Sequence, residues 1–262
     1  MNPPIHTLHR GSLPLLVSLP HDGTHVPASI AERLTETARQ VPDTDWHIAR
    51  LYAFARDMGA SMIVPSHSRY VIDLNRGEDD VSLYPGQNTT GLCPLVRFNG
   101  EPVYRAGAEP DEAEVRERLD TYWRPYHEAL AGELQRLREQ HGRVLLWEGH
   151  SIRGELPFLF EGRLPDLNLG TAAGASCSQA VRARLDAALA QQADYDFVVN
   201  GRFKGGHITR HYGDPDNGVD AVQLEISQRC YMDEDSFEWD AAKAARLQPV
   251  VQALLRAALG QA

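Results

Sequence analysis

The chain has little cysteine, no surplus of basic residues and no long apolar run, and each shortage removes a class of function. Its three cysteines, Cys93, Cys177 and Cys230, are odd in number and far apart. They suggest neither a disulfide framework nor a cysteine-based zinc site, and free thiols are expected. Lys and Arg total 26 against 36 Asp and Glu, a formal charge of -10. This argues against a nucleic-acid-binding surface, because phosphate binding relies on clustered basic side chains. An acidic chain can still take an anionic small molecule, provided that arginines, a metal or helix N-termini make a local positive pocket. No stretch approaches the roughly 18 to 20 apolar residues that cross a bilayer. The opening MNPPIHTLHRG has no apolar core either. The expectation is a cytoplasmic protein that binds a small molecule and neither membrane nor nucleic acid.

What is present is globular. With 262 residues, 42% hydrophobic and 24% charged, the chain can bury a large core. No linker composition divides it, so a single domain over 1–262 is expected. Apolar runs predict strands at 15–19, 61–64, 70–74, 143–147, 197–200 and 219–227. Helical spacing and start signals predict helices at 27–39, 45–58, 111–141 with an interruption near Pro125, 178–192 and 240–259. Residues 77–110 are rich in Gly, Pro, Asn and Asp without lasting periodicity. That is too long for a simple connection, so they form a functional loop or hide short elements. The alternation of strands and helices points to an α/β fold, one three-layer domain with a mixed, mostly parallel sheet and helices on both faces. Sites in such sheets lie beyond the C-terminal ends of strands, and His21 and His150 each follow a strand.

Zinc in hydrolases is commonly held by three His, Asp or Glu side chains, with a fourth position left for water. His21, an acid of Asp43-Thr44-Asp45, and His150 could supply them, although the chain has no HExxH motif. Each residue has an ordinary alternative. Most histidines are exposed or hydrogen-bonded structural residues, and an aspartate at a helix start is usually an N-cap; Asp43 competes with Asp45 for either role. Glu225 alternates with Val222, Leu224 and Ile226 along its strand, so it faces solvent or a cleft. A carboxylate beside a metal-activated water is the usual general base. Arg76 ends an apolar run and adjoins Asn75, a combination suited to clamping a carboxylate; alternatively it is a surface residue paired with Asp73 or Glu78. A rival chemistry is visible in Gly149-His150-Ser151-Ile152-Arg153, half of a GxSxG nucleophile elbow. Arg153 stands where the last glycine belongs and no convincing helix follows, so the serine-hydrolase reading is weak. His207 and His211 have the i, i+4 spacing of a helical metal pair, but the glycines and proline around them argue for strand or loop.

The segments PLLVSLPHDGTHVP, DTDWHIARLY, SRYVIDLNR, SLYPGQNTTGL, YWRPYH, EGHSIR, NGRFKGGHITRHYG and VQLEISQRCYM together resemble the N-formylglutamate amidohydrolases, the formylglutamate deformylases of histidine breakdown. The resemblance spans about residues 11–259, and its specificity lies in the number and order of the segments. That family is similar in fold to the zinc carboxypeptidases, of the phosphorylase/hydrolase-like type. Their sites use, in chain order, a histidine, a carboxylate, an arginine, an Asn-Arg pair, a second histidine and a glutamate. The resemblance therefore implies one Zn2+ held by His21, Asp45 and His150, with Arg69 stabilising an oxyanion. It also implies Asn75 and Arg76 as carboxylate binders and Glu225 as general base. The activity implied is metal-dependent hydrolysis of N-formyl-L-glutamate to formate and L-glutamate, the last step of a histidine degradation route. One departure matters: the carboxypeptidases place their acidic ligand three residues after the first histidine, where this chain has Thr24. The acid must instead come from the DTD segment, with Asp45 preferred over Asp43. The alternatives are a zinc amidohydrolase of this fold acting on another N-acyl amino acid, a serine hydrolase using Ser151, and a non-catalytic anion-binding protein.

Overall fold

Apolar side chains at successive positions of the central strands point to opposite faces, and this builds two cores on one sheet. The computed structural model describes residues 3–83 and 85–261. Its strands are β1 (His6–His9), β2 (Leu15–Ser18), β3 (Ser61–Pro65), β4 (Val144–Ile152), β5 (Leu167–Gly170), β6 (Phe197–Val199) and β7 (Val219–Ser227). They lie in the order β1-β3-β2-β4-β7-β5-β6. The central strands β3, β2, β4 and β7 are parallel, β5 and β6 are parallel to each other, and antiparallel contacts occur at β1–β3 and β5–β7. The helices are α1 (Ala28–Ala31), α2 (Ile48–Leu51), α3 (Phe54–Asp57), α4 (Glu112–Arg118), α5 (Arg124–His141), α6 (Gln179–Gln191), α7 (His207–Tyr212) and α8 (Ala241–Leu259).

On one face Leu15, Val17, Trp147, Val222 and Leu224 pack against Leu51, Leu185, Leu247 and Leu254 of α2, α6 and α8. On the other, Leu16, Ile63, Leu146 and Ala221 meet Tyr126, Leu130, Leu134 and Leu137 of α5. Each fully buried Leu or Val contributes roughly 1.5 to 3 kcal/mol, and coverage of both faces is why the central strands read as nearly continuous apolar runs. The three-layer α/β expectation holds. Among the described residues no helix is long and apolar enough to cross a membrane, and all three cysteines are free thiols.

Several elements differ from the sequence reading, each for a tertiary reason. The helix expected at 27–39 stops after α1, because Thr35 N–H donates to Val103 O (3.0 Å) and draws the chain toward residues 102–105. The helix expected at 45–58 begins later and is split into α2 and α3; its N-cap is His47, in the left-handed region at φ 63°. Residues 70–74 are turn and irregular chain, not a strand; Asp73 N–H donates to Leu92 O, and Arg118 Nη1 donates to Val71 O. Residues 111–141 form α4 and α5 joined by a π-helical turn, Leu119–Trp123. That turn absorbs Pro125, which can neither donate a bond nor tolerate the carbonyl four residues back. The strand read at 143–147 runs on to Ile152, so His150 lies inside β4 near its end.

The segment of His207 and His211 is the helix α7, against expectation. Its first-turn N–H groups are capped from afar: Ile208 N–H donates to Asn75 Oδ1 (2.9 Å) and Thr209 N–H to Glu148 Oε2 (3.0 Å). No local start signal exists because the cap residues lie 133 and 61 positions away.

Candidate active site

At the C-terminal ends of β2, β4 and β7, three elements bring one cluster of donors together. His21 follows β2, His150 lies near the end of β4, and Asp45 arrives from the loop before α2, tied by its N–H to His21 O (3.0 Å). One ligand atom from each of His21, Asp45 and His150 lies within 4.8 Å of the other two, and all three residues are buried. The two imidazoles are held alike. His21 Nε2 lies 2.7 Å from Asp73 Oδ1, and His150 Nε2 lies 2.7 Å from Glu148 Oε1. This leaves both Nδ1 atoms toward Asp45 Oδ2, at 3.8 Å from His21 and 3.0 Å from His150.

His21 Nδ1 is buried with no hydrogen-bond partner among the described residues. A buried ring nitrogen without a partner, beside a second imidazole nitrogen that meets the Asp45 carboxylate, is a donor set that suits zinc, and carboxylates behind both rings are the usual way of fixing ligand tautomers. The residues fit the metal. Without it the charges are strongly coupled. Burial lowers the pKa of His21, with Arg69 adding to the effect. Burial would also lower that of His150, but the carboxylates of Glu148 and Asp45 outweigh it and hold the ring well above its ordinary range.

Glu225 pairs with His150 in the β4–β7 register. The sequence pattern left it between solvent and cleft; it is 6% exposed and lines a cleft together with the three donors. Burial pushes its carboxyl up to about 8, against the opposing charge of His150. Arg69 reaches the same cleft. Its Nη2 is bonded to Asp73 Oδ2 (2.6 Å) and its Nη1 lies 3.9 Å from Asp45 Oδ1. The guanidinium also sits 4.6 Å from the ring centroid of Phe98. Arg76 is half-buried in the cleft wall and donates from Nε to Thr90 O (2.8 Å). Neither surface partner considered for it is available: Asp73 is taken by His21 and Arg69, and Glu78 by Arg124. Asn75 lines the cleft while bracing it, with Nδ2 3.1 Å from His150 Nε2 and Oδ1 on Ile208 N–H.

Residues 13–232 match the sequence profile of the N-formylglutamate amidohydrolases. The chain belongs to that family. It is 51% identical over 254 residues to an N-formylglutamate deformylase of Pseudomonas putida, an alignment covering 97% of this chain and 95% of the relative. It is equally 51% identical over 251 residues to an N-formylglutamate deformylase of Pseudomonas aeruginosa, with 95% and 94% covered. The crystal structure of an N-formylglutamate amidohydrolase from Ralstonia eutropha JMP134 is similar, with a TM-score of 0.82 at 26% identity over 97% of this chain and 96% of that one. A gene product of Agrobacterium tumefaciens shares the fold, with a TM-score of 0.67 at 18% identity over 96% and 94%.

Within this amidohydrolase family member the rival site readings find little geometric support. Ser151 is buried, and its hydroxyl meets Tyr231 OH (2.6 Å) and Gln228 Nε2 (3.4 Å). No histidine is placed to take its proton among the described residues, so the nucleophile elbow lacks its base. Asp43 points away from the donor cluster and accepts from Tyr70 OH (2.6 Å) and Phe98 N–H (2.9 Å). Asp45 does not cap α2; its Oδ2 accepts Ser151 N–H (3.1 Å). His207 and His211 stack at 5.0 Å and stay outside the cluster. The positions of Asp73 and Glu148 behind the histidines were not anticipated. The spacing Glu148-Gly149-His150 on one strand, which puts both side chains on one face, was the available signal.

Proposed function

We propose that the chain hydrolyses N-formyl-L-glutamate to formate and L-glutamate, using one zinc ion held by His21, Asp45 and His150. The observation that carries this reading is the convergence of three buried donor side chains with Glu225 and two arginines in one cleft of a family member. When bound, the ion supplies Lewis-acid polarisation of the formyl carbonyl and a water acidic enough to react near neutral pH.

The chain's own groups do the rest. Glu225 takes one proton from the attacking water as its oxygen adds to the formyl carbon. It returns that proton to the amide nitrogen as the C–N bond breaks, so glutamate leaves with a neutral amine that protonates in solvent. Arg69 faces the carbonyl oxygen while negative charge collects there, a role in which the loss of one donor typically costs about 10²- to 10³-fold in rate. Arg76, with Asn75 beside it, holds a substrate carboxylate by paired N–H donors.

Metal analysis together with formate release from N-formyl-L-glutamate tests the proposal. About one zinc per chain and rapid formate release support it. Faster turnover of another N-acyl amino acid would replace the substrate, and glutamate binding without turnover would leave a carboxylate-binding protein.

A further inference from the structure

Ser151 and the two residues that its hydroxyl meets, Gln228 and Tyr231, take no step in the hydrolysis, yet all three are buried against the loop that delivers Asp45. Residues 41–47 of that loop are turn and irregular chain. Val41 (φ 45°) and His47 (φ 63°), one at each end, lie in the left-handed region, which side chains other than glycine disfavour. A loop of this kind is held on its course by partners from outside it. Gln228 opens the turn Gln228–Cys230 that follows β7, and Tyr231 closes it. Gln228 Nε2 lies 3.0 Å from Thr44 O, and Tyr231 OH lies 2.8 Å from Trp46 O. These are the carbonyls on either side of Asp45, whose own carbonyl accepts Ile48 N–H (3.2 Å).

A carbonyl can only accept, so both contacts fix their donors. The Gln228 amide turns its NH2 to the loop, and the single phenolic hydrogen of Tyr231 goes to Trp46 O. The 2.6 Å contact between Tyr231 OH and Ser151 Oγ is then made by the serine hydrogen, and Ser151 Oγ accepts the second amide hydrogen of Gln228 (3.4 Å). Every polar hydrogen of the three side chains is used. The brace joins neighbours of the site: Ser151 follows His150 and its N–H holds Asp45 Oδ2 (3.1 Å), and Gln228 stands three positions after Glu225. We propose that Ser151, Gln228 and Tyr231 are positioning residues that set Asp45 against His21 and His150 and thereby the affinity for zinc. This rests on the reading of those three residues as metal ligands, and it gives the Ser151 hydroxyl a task other than nucleophilic attack. A binding constellation has to be held to within about 0.5 Å, which a loop without a ladder of its own does not secure.

The test uses Y231F, Q228L and S151A, which each delete part of the brace and keep Asp45. S176A is the control, since it removes a buried hydroxyl bonded to Ala221 O (2.7 Å) and outside the donor cluster. Zinc affinity is measured by competition against a chromophoric chelator, at a temperature where melts of the metal-free proteins show every variant folded. Under that condition a loss of global stability alone does not move the affinity. Y231F, Q228L and S151A should each weaken zinc binding by about 3- to 30-fold, less than the 10- to 100-fold typical of losing a group bonded directly to a ligand. S176A should change it by less than about 2-fold. With cobalt in place of zinc, the visible absorption bands, which report ligand geometry, should change in Y231F and stay as in wild type in S176A. Affinity within about 2-fold of wild type in all three brace variants, or an equal loss in S176A, overturns the proposal; if Y231F does not fold, Q228L and S151A are read in the same way. D45N separates the two readings. If wild type takes up no zinc, or D45N keeps wild-type affinity, the metal reading fails and the brace assignment falls with it. If D45N loses zinc while the brace variants do not, the brace assignment alone falls.

Discussion

His150 and Glu225 sit directly opposite each other on the neighbouring parallel strands β4 and β7. The sheet register, not a flexible loop, therefore sets the distance between an imidazole of the donor cluster and the carboxylate proposed as base. Each strand has nine residues, all buried, so neither side chain can shift without disturbing the core.

This rigidity makes Glu225→Gln a clean test. The amide is nearly isosteric, so the fold and zinc content should be retained while kcat falls by at least about 10²-fold. Single-turnover formate release with metal content measured on the same sample decides it. Normal turnover would make Glu225 a structural strand residue. Glu148 could not replace it as base, because both its oxygens are engaged by His150 and Thr209.

Metal removal should abolish turnover and zinc should restore it, because His21, Asp45 and His150 retain no electrophile of their own. Zinc should also raise the thermal midpoint, since a ligand that binds only the native state stabilises it by mass action, by about 2.7 kcal/mol at one hundred times its Kd. Melts with and without a strong chelator give the answer. Full activity in metal-free protein would return attention to Ser151.

How much of this was legible in the sequence depended on whether the cause was local. His21, His150 and Glu225 could be read because strand ends and alternation are short-range patterns, and Asp45 emerged from the order of the family's segments. The sheet's central strands were legible for the same reason, whereas β1 and β5 are four-residue strands without distinctive patterning. The roles of Asp73 and Glu148, the caps of α7 and the turn at 70–74 were not legible. Each depends on partners brought near only by the fold: Asp73 meets His21 across 52 positions, and Thr209 meets Glu148 across 61. Val71 and Ile72 read as a strand because they are apolar, but they lie in a turn and irregular stretch and are buried in two separate clusters.

Glu148→Gln should weaken zinc binding by about 10- to 100-fold, the usual effect of losing the carboxylate behind a ligand histidine. The glutamine NH2 would face either the His150 ring or the Thr209 N–H, both of which donate to Glu148. Competition against a chromophoric chelator measures the affinity. The thermal midpoint should also fall by several degrees through loss of the α7 cap. Unchanged zinc affinity would mean that His150 is oriented by packing alone.

The raised pKa of Glu225 predicts a pH signature in the metal-free chain. Its folded value, about 8, lies above the ordinary 4.5. Its contribution to stability is therefore fully present below about pH 4.5 and is lost as the pH rises through 8. Metal-free wild type should lose thermal stability relative to Glu225→Gln between about pH 5 and 8.5. A nearby cation favours the ionised carboxylate, so zinc uptake should release protons and tighten with pH over the same window. Melts at the two pH values, and calorimetry in buffers of different ionisation enthalpy, test both halves. A stability difference that does not vary with pH would show that Glu225 titrates near its ordinary value.

Arg76 tests how an acidic chain captures an anionic substrate. N-formyl-L-glutamate brings two negative charges toward a protein of formal charge -10, so affinity has to come from a few cleft arginines and not from the overall field. Arg76 lies in the cleft wall, fixed by Thr90 O, with no carboxylate at ion-pair distance among the described residues. A charge-assisted hydrogen bond contributes about 1.5 to 3 kcal/mol, and a two-point contact in a partly dry pocket contributes more. Arg76→Ala should lower kcat/KM on N-formyl-L-glutamate by roughly 10²- to 10³-fold, since about 1.4 kcal/mol corresponds to a factor of ten. Arg76→Lys should restore little of it. Comparison with N-formyl-L-glutamine identifies the carboxylate involved. If Arg76 holds the α-carboxylate, both compounds lose equally. A change in their ratio would instead put the side-chain carboxylate at Arg76. A loss of less than about threefold would remove Arg76 from substrate binding altogether.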